Sequence, residues 1–402
     1  MVSEIEIDDL DDSDDASSPI LAILENLFAA VLNGSSHLKS LKFKCSEDLR
    51  ALDPVLLSQA LIRLEECSFW EYSFHSLSTL QHVALFTAID QTEDLELRVL
   101  NLPNEDISEV PPDVLGAGLV KLEETDILST DLTHEQIRVL FTKIAESPVV
   151  NLKKFNSSYS YNIPPQLFAD ALVRIETVDI IHGNFWVESL LMKIANTEIL
   201  TLRRLSLSMV DLSQFSPVVV SEAVVKLETL NVEGLYNSGL NEAFFQGIAD
   251  CLDLRLRGLS VKDINISSVQ ASVLVGAVSR LEKLSLNNCF LTADQLTGVF
   301  TQLSVSEHKL TFLRLSNNRL HSVPTSLLVK ALSGLEEVDL YKTSLTGDQL
   351  TGIYTMVADR KPGRLRRINL NRNNHSSVPP DLLQRAGLNQ SVVINNKTSL
   401  RM

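Results

Sequence analysis

Between Leu310 and Pro380 apolar residues recur in two registers. The runs LTFLRL from Leu310, LEEVDL from Leu335 and LRRINL from Leu365 alternate apolar with polar residues, the pattern of a half-buried strand. Each run is followed by apolar residues at helical spacing. In a neighbouring copy Leu296, Val299, Phe300 and Leu303 fall at i, i+3, i+4 and i+7 of one helical face. For a strand run beginning at position n, residues n, n+3 and n+5 are predicted to point into a core. Residues n+2, n+4 and n+6 are predicted to face solvent on the other side of the sheet. Two spellings alternate. One leads through Asn-Asn to Ser-Val-Pro, as at 317–324, and the other carries Thr343 and then Leu-Thr-x-x-Gln. The pair returns after 55 residues, from Leu310 to Leu365, a period that marks a solenoid or an array.

The same pattern runs through most of the chain. Strands of the Val-Pro type begin at Leu38, Leu97, Leu152, Leu202, Leu256, Leu310 and Leu365. Strands of the Thr type begin at Leu64, Leu122, Ile175, Leu227, Leu281 and Leu335, which makes thirteen units, with a truncated fourteenth expected at Val392–Asn395. Thr133-x-x-Gln136, Thr292-x-x-Gln295 and Thr346-x-x-Gln349 are capping boxes that start the helices of the Thr-type units. Pro111-Pro112, Pro164-Pro165 and Pro379-Pro380 suit a first helical turn, where a missing N–H leaves no partner waiting. At the ninth position of the clean units stand Asn318, Asn373, Thr343 and Cys289, expected to tie neighbouring turns into a polar ladder; Val210, Leu235 and Ile264 replace them with apolar packing. The boundaries expected are a disordered acidic tail at 1–16, an N-terminal helical cap at 17–37 around the apolar run Pro19–Leu32, a solenoid at 38–388 and a C-terminal cap at 389–402.

These motifs resemble the leucine-rich repeat, and the alternation resembles the paired units of its ribonuclease-inhibitor-like subfamily. LEKLSLNNCFLTADQLTGVF from Leu281 is similar to the first half-repeat of that subfamily. The other unit departs from it, with Ser-Val-Pro-Pro where the subfamily has a glycine-rich turn. The resemblance implies a right-handed α/β solenoid, a horseshoe with a parallel sheet on its concave side and helices on its convex side. It narrows function less, because the family contains inhibitors, GTPase activators, immune sensors and scaffolds.

Charge is distributed unevenly over the 402 residues. The formal net charge is −16, and the first fifteen residues carry eight acidic side chains and no basic one. Residues 360–402 hold nine basic residues against Asp381 alone. The acidic whole and the lack of aromatics among the basic residues at the end argue against nucleic acid. Cysteines 45, 67, 251 and 289 form no Cys-x-x-Cys pair and stand apart from histidines at ligand spacing, so neither a disulfide framework nor a zinc site is expected. The acidic N-terminus has no apolar stretch of a secretory leader, and no apolar run reaches membrane-spanning length. A cytoplasmic or nuclear chain with no membrane contact is the expectation. Phosphate-binding, dinucleotide-binding, zinc-protease and serine-hydrolase motifs are all missing, so no cofactor and no catalytic residue is assigned. His182 near Asp179 reads as a solvated surface residue.

The leading functional expectation is therefore a non-catalytic protein-binding scaffold that uses the concave strands and the loops beside them. An enzyme regulator, inhibitor-like or GTPase-activator-like, and an array akin to the sensor ends of nucleotide-binding immune receptors are the alternatives. The outward-facing rule exposes Phe312, Arg314 and Ser316 on one strand, Glu337, Asp339 and Tyr341 on the next, and Arg367, Asn369 and Asn371 on the third. Phe312, Arg314, Tyr341 and Arg367 would then lie within about two strand spacings, roughly 10 Å, and aromatics and arginines dominate binding hot spots. A competing reading has Phe312 packed on the stems of Arg314 and Arg367, with Asp339 balancing their charge. Trp70 with Tyr159 forms a second candidate pair near the other end. Weak self-association between the acidic head and basic tail of neighbouring molecules is a further expectation, screened by salt.

Overall fold

The structure, a computed structural model, describes residues 3–7, 19–43, 49–69, 77–103, 105–126, 132–157, 163–181, 184–234, 242–305, 308–359, 363–387 and 393–395. Among them, fifteen parallel strands alternate with fourteen α-helices, and the sheet is open. The chain divides into two compact units, the first ending at Lys193 together with Ile199–Leu202, the second made of Ile194–Glu198 and Arg203 onward.

In the first unit the strands are β1 Glu4–Ile7, β2 Ser40–Phe43, β3 Glu66–Phe69, β4 Val99–Asn101, β5 Glu124–Asp126, β6 Lys154–Ser157 and β7 Thr177–Ile181. Between them run α1 Pro19–Leu32, α2 Pro54–Leu61, α3 Thr79–Gln91, α4 Pro112–Leu119, α5 His134–Glu146 and α6 Pro165–Leu172, with α7 Asn184–Asn196 after β7. Each strand pairs in parallel with the next in the chain, and the helices between them supply the crossover connections that parallel pairing requires. Strand and helix meet through apolar side chains, as where Phe155 of β6 packs edge-on against Phe141 of α5 with centroids 5.5 Å apart.

The second unit repeats the plan. Its strands are β8 Arg204–Ser208, β9 Thr229–Glu233, β10 Gly258–Lys262, β11 Lys283–Asn287, β12 Phe312–Arg314, β13 Glu337–Asp339, β14 Arg367–Asn369 and β15 Val393–Asn395. Its helices are α8 Pro217–Val224, α9 Glu242–Asp250, α10 Ala271–Val278, α11 Ala293–Val305, α12 Thr325–Leu332, α13 Gly347–Ala358 and α14 Pro380–Gly387. The inward half of the predicted strand rule holds: Leu310, Leu313 and Leu315 are at most 1% exposed, with Phe312 and Arg314 half-exposed on the other side. The outward half fails at Ser316 and Ser285, which are buried. No helix among the described residues is long and apolar enough to cross a membrane.

The two spellings correspond to two helix lengths. Helices of the Val-Pro units (α2, α4, α6, α8, α10, α12, α14) are eight residues long. In the Thr units α3, α5, α7 and α11 have thirteen residues and α13 has twelve, while α9, with nine, is the exception. The capping-box glutamines explain how the two types lock together. Gln349 is 1% exposed, and its Oε1 accepts the Thr346 N–H at 2.9 Å. Its Nε2 donates to the carbonyls of Leu320 and Val323, in the turn of the preceding unit, at 2.9 and 2.6 Å. Gln81, Gln136 and Gln295 do the same for the turns before them.

The expected polar ladder is present where the repeat is clean. Asn318 Oδ1 accepts the N–H of Cys289 at 3.3 Å and of Leu291 at 3.4 Å, and its Nδ2 donates to Leu286 O at 2.6 Å and Leu315 O at 3.0 Å. Asn373 ties Thr343 and Leu345 in the same way. Val210 and Ile264 fill the same position as buried apolar side chains, and Leu235 lies outside the described residues. The residue before the ladder position is left-handed in six of these turns, at Met209, Asp263, Asn288, Asn317, Lys342 and Arg372.

The expected disordered tail needs correction at 4–7. Here Glu4–Ile7 forms β1 and pairs with Ser40–Phe43, so the edge strand lies ahead of the helix assigned to capping. The segment alternates Glu with Ile, and Glu4 faces a cation: Lys42 Nζ lies 2.8 Å from its carboxylate and holds that carboxyl below its ordinary range, chiefly through this hydrogen bond. Residues 8–16 lie outside the described residues. At the other end, β15 adds to β14 where the truncated unit was expected.

Candidate protein-binding face

Strand register brings most of the predicted site residues side by side on the face away from the core. Phe312, Glu337 and Arg367 are direct neighbours across β12, β13 and β14, as are Arg314, Asp339 and Asn369. The Arg314 guanidinium carbon lies 5.4 Å from the centre of the Phe312 ring, and its Nε is 3.1 Å from Asp339 Oδ2. Asn369 donates to the other Asp339 oxygen at 3.0 Å. Arg367 is paired with Glu337 at 3.3 Å, so Asp339 balances Arg314 alone rather than both arginines. Tyr341 sits two residues beyond the end of β13, in the turn, where its N–H donates to Asp339 Oδ1 at 3.0 Å. Trp70 and Tyr159 lie outside the described residues, as does His182.

Beside this cluster, toward β9, the same face opens into a groove of about 610 Å³. Phe312 and Arg314 form one wall, and Thr229 and Asn231 line the other side. The floor is low because Gly258, Ser260 and Ser285 occupy outward positions that carry long side chains elsewhere. Most charges in the groove are already matched: Glu228 with Arg203 at 3.3 Å, Glu282 with Arg257 at 3.9 Å, Arg314 with Asp339 and Glu337 with Arg367. Lys283 has no ion-pair partner among the described residues. Ser285 is 6% exposed, and its hydroxyl has no hydrogen-bond partner among the described residues. Sequence reasoning passed over Gly258, Ser260, Lys283 and Ser285. Their signal was a run of small residues at the outward positions that the strand rule assigns in β10 and β11.

Other chemistry is sparse. No group of three His, Cys, Asp or Glu side chains among the described residues could hold a metal. Cys67 and Cys289 are free, buried thiols whose pKa is pushed far up, chiefly by burial. In the first unit His82 and Glu105 are both buried, with Nε2 3.3 Å from Oε2. Glu105 occupies the ladder position that holds asparagine in the clean units.

Parallel strands in chain order, a crossover helix between each strand and the next and two alternating unit types define a leucine-rich-repeat-like α/β solenoid. No protein-family model matches the chain, and no curated protein matches it. Among solved structures, the crystal structure of the Rad7 and Elc1 complex in yeast is similar, with a TM-score of 0.44 and 15% identity over 93% of this chain and 87% of that chain.

Proposed function

We propose that this chain is a non-catalytic scaffold that binds a protein partner through the open sheet face of its second unit. The observation that carries the reading is the solvent-facing cluster on β12–β14. There a half-exposed Phe312 is held against Arg314, beside Asp339, Arg367 and Asn369, with Tyr341 in the adjoining turn. A solenoid does not need an aromatic ring at this position, since the matching sites hold Arg204, Gly258 and Lys283. Held rings and guanidinium groups lose little freedom on binding, which favours them as anchors. The alternation of eight-residue with longer helices supports placing the units with the paired ribonuclease-inhibitor-like type. Two buried free thiols suit a reducing compartment. The test is affinity capture from native extract with the wild-type chain and with Phe312→Ala plus Tyr341→Ala, the fold of the variant being checked by circular dichroism. Loss of the captured partner supports the reading. Binding that survives within twofold, roughly 0.4 kcal/mol, places the site elsewhere.

A further inference from the structure

We infer that the groove over β10 and β11 recognises an acidic side chain of the partner, set next to an apolar one. This deepens the scaffold reading and rests on it. Charge complementarity selects the ligand. Counting the groove's charged residues with their ion-pair partners, five cations face four anions, and Lys283 is the cation left over. Lys283 lies directly across from Phe312, and Ser285 directly across from Arg314. One ammonium, one ring, one short buried side chain and one guanidinium thus form a two-by-two patch, with neighbouring strands about 4.8 Å apart.

A carboxylate above this patch meets the Lys283 ammonium, a charge-assisted contact stronger than a neutral one. Ser285 is itself buried, so its short side chain deepens the floor below the carboxylate rather than binding it. An apolar neighbour of the acidic residue covers the face of Phe312 that Arg314 does not. Gly258 makes room on the far side of Lys283. Its backbone is not left-handed, so its role here is space; a Cβ built on it would stand 3.3 Å from Thr229 Cγ2 and fill the floor. A basic partner segment finds no unmatched anion in the groove and brings a second positive charge to Lys283.

The probe is a phage-displayed library of random twelve-residue peptides, panned on the full chain. The enriched peptides are then synthesised with a fluorophore and measured by fluorescence polarisation. Enriched sequences are expected to carry Asp or Glu beside an apolar residue. Affinity should fall at least tenfold with Lys283→Glu and at least fivefold with Gly258→Val, and stay within twofold with Lys342→Glu, which changes a cation elsewhere on the unit. Lys283 is exposed, so its variant folds whether or not the valine is accommodated. Enriched peptides without acidic residues overturn the proposal, and so does binding unmoved by Lys283→Glu. Self-association of the chain that Lys283→Glu abolishes also counts against it, because a second copy is then the occupant. If extract partners are captured but acidic peptides do not compete, the groove inference fails and the scaffold reading stands. If no partner is captured at all, the scaffold reading fails first.

Discussion

Replacing Gln349 by glutamate separates two roles that a capping box normally merges. The carboxylate still accepts the Thr346 N–H and gains a little from the positive end of α13, about 0.3–1 kcal/mol. It cannot donate, so the carbonyls of Leu320 and Val323 lose their bonds of 2.9 and 2.6 Å and face a negative oxygen. A buried acceptor left unpaired costs about 1–3 kcal/mol, and burying a charge adds to that. The net effect of Gln349→Glu at neutral pH is therefore about 3 kcal/mol of destabilisation, felt where the two units meet. Burial and the facing carbonyls raise the pKa of the introduced carboxyl above its unfolded value near 4.3. Stability is then greatest below that value, where the protonated group restores one donor, and is lost as pH rises through the raised folded pKa. Unfolding of an array is not two-state, so the assay is hydrogen exchange of peptides covering 340–358, with a first-unit peptide as internal reference. Exchange should quicken roughly 100-fold at neutral pH, since about 1.4 kcal/mol is tenfold, and the gap should narrow toward pH 4. A variant that exchanges within threefold of wild type at neutral pH refutes the locking role.

Three further outcomes follow from buried groups. Asn318→Ala frees the N–H groups of Cys289 and Leu291 and the carbonyls of Leu286 and Leu315, and should cost about 2–4 kcal/mol, read as faster exchange at 284–318. Cys67 and Cys289 should resist alkylation at pH 8 in the native chain and react on denaturation, because burial keeps both as thiols; mass mapping that finds either labelled in the native state contradicts this. His82→Ala and Glu105→Ala should each lower stability by about 3 kcal/mol, with the double variant losing less than the sum by at least about 1 kcal/mol; an additive cycle would show that the buried pair is not coupled.

What was legible in the sequence follows the range of the interactions. Phe312 and Arg314 could be placed on the outer face because the alternation of LTFLRL acts within one strand. Glu4–Ile7 could not, since the surrounding acidic residues outweigh a four-residue alternation, and the pairing that holds it reaches Ser40–Phe43. Thr346-x-x-Gln349 announced a helix start. It hid the second role of the glutamine, whose acceptors lie 29 and 26 residues earlier. The partner of Arg367 was misassigned for the same reason: Glu337 and Asp339 are alternatives until register sets Glu337 opposite it. The groove was missed although the strand rule assigns Gly258 and Ser285 outward positions, because each is unremarked in its own strand and they form a hollow only side by side.

The scaffold reading stands on the open sheet face of the second unit. A photo-crosslinking residue placed at Phe312, and separately at Lys283, tests it most directly, with Ser326 on the exposed side of α12 as the control position. After irradiation in native extract, a protein adduct of the same mass is expected from positions 312 and 283 and none from 326. Adducts formed only from position 326, with none from 312 or 283, would contradict the account.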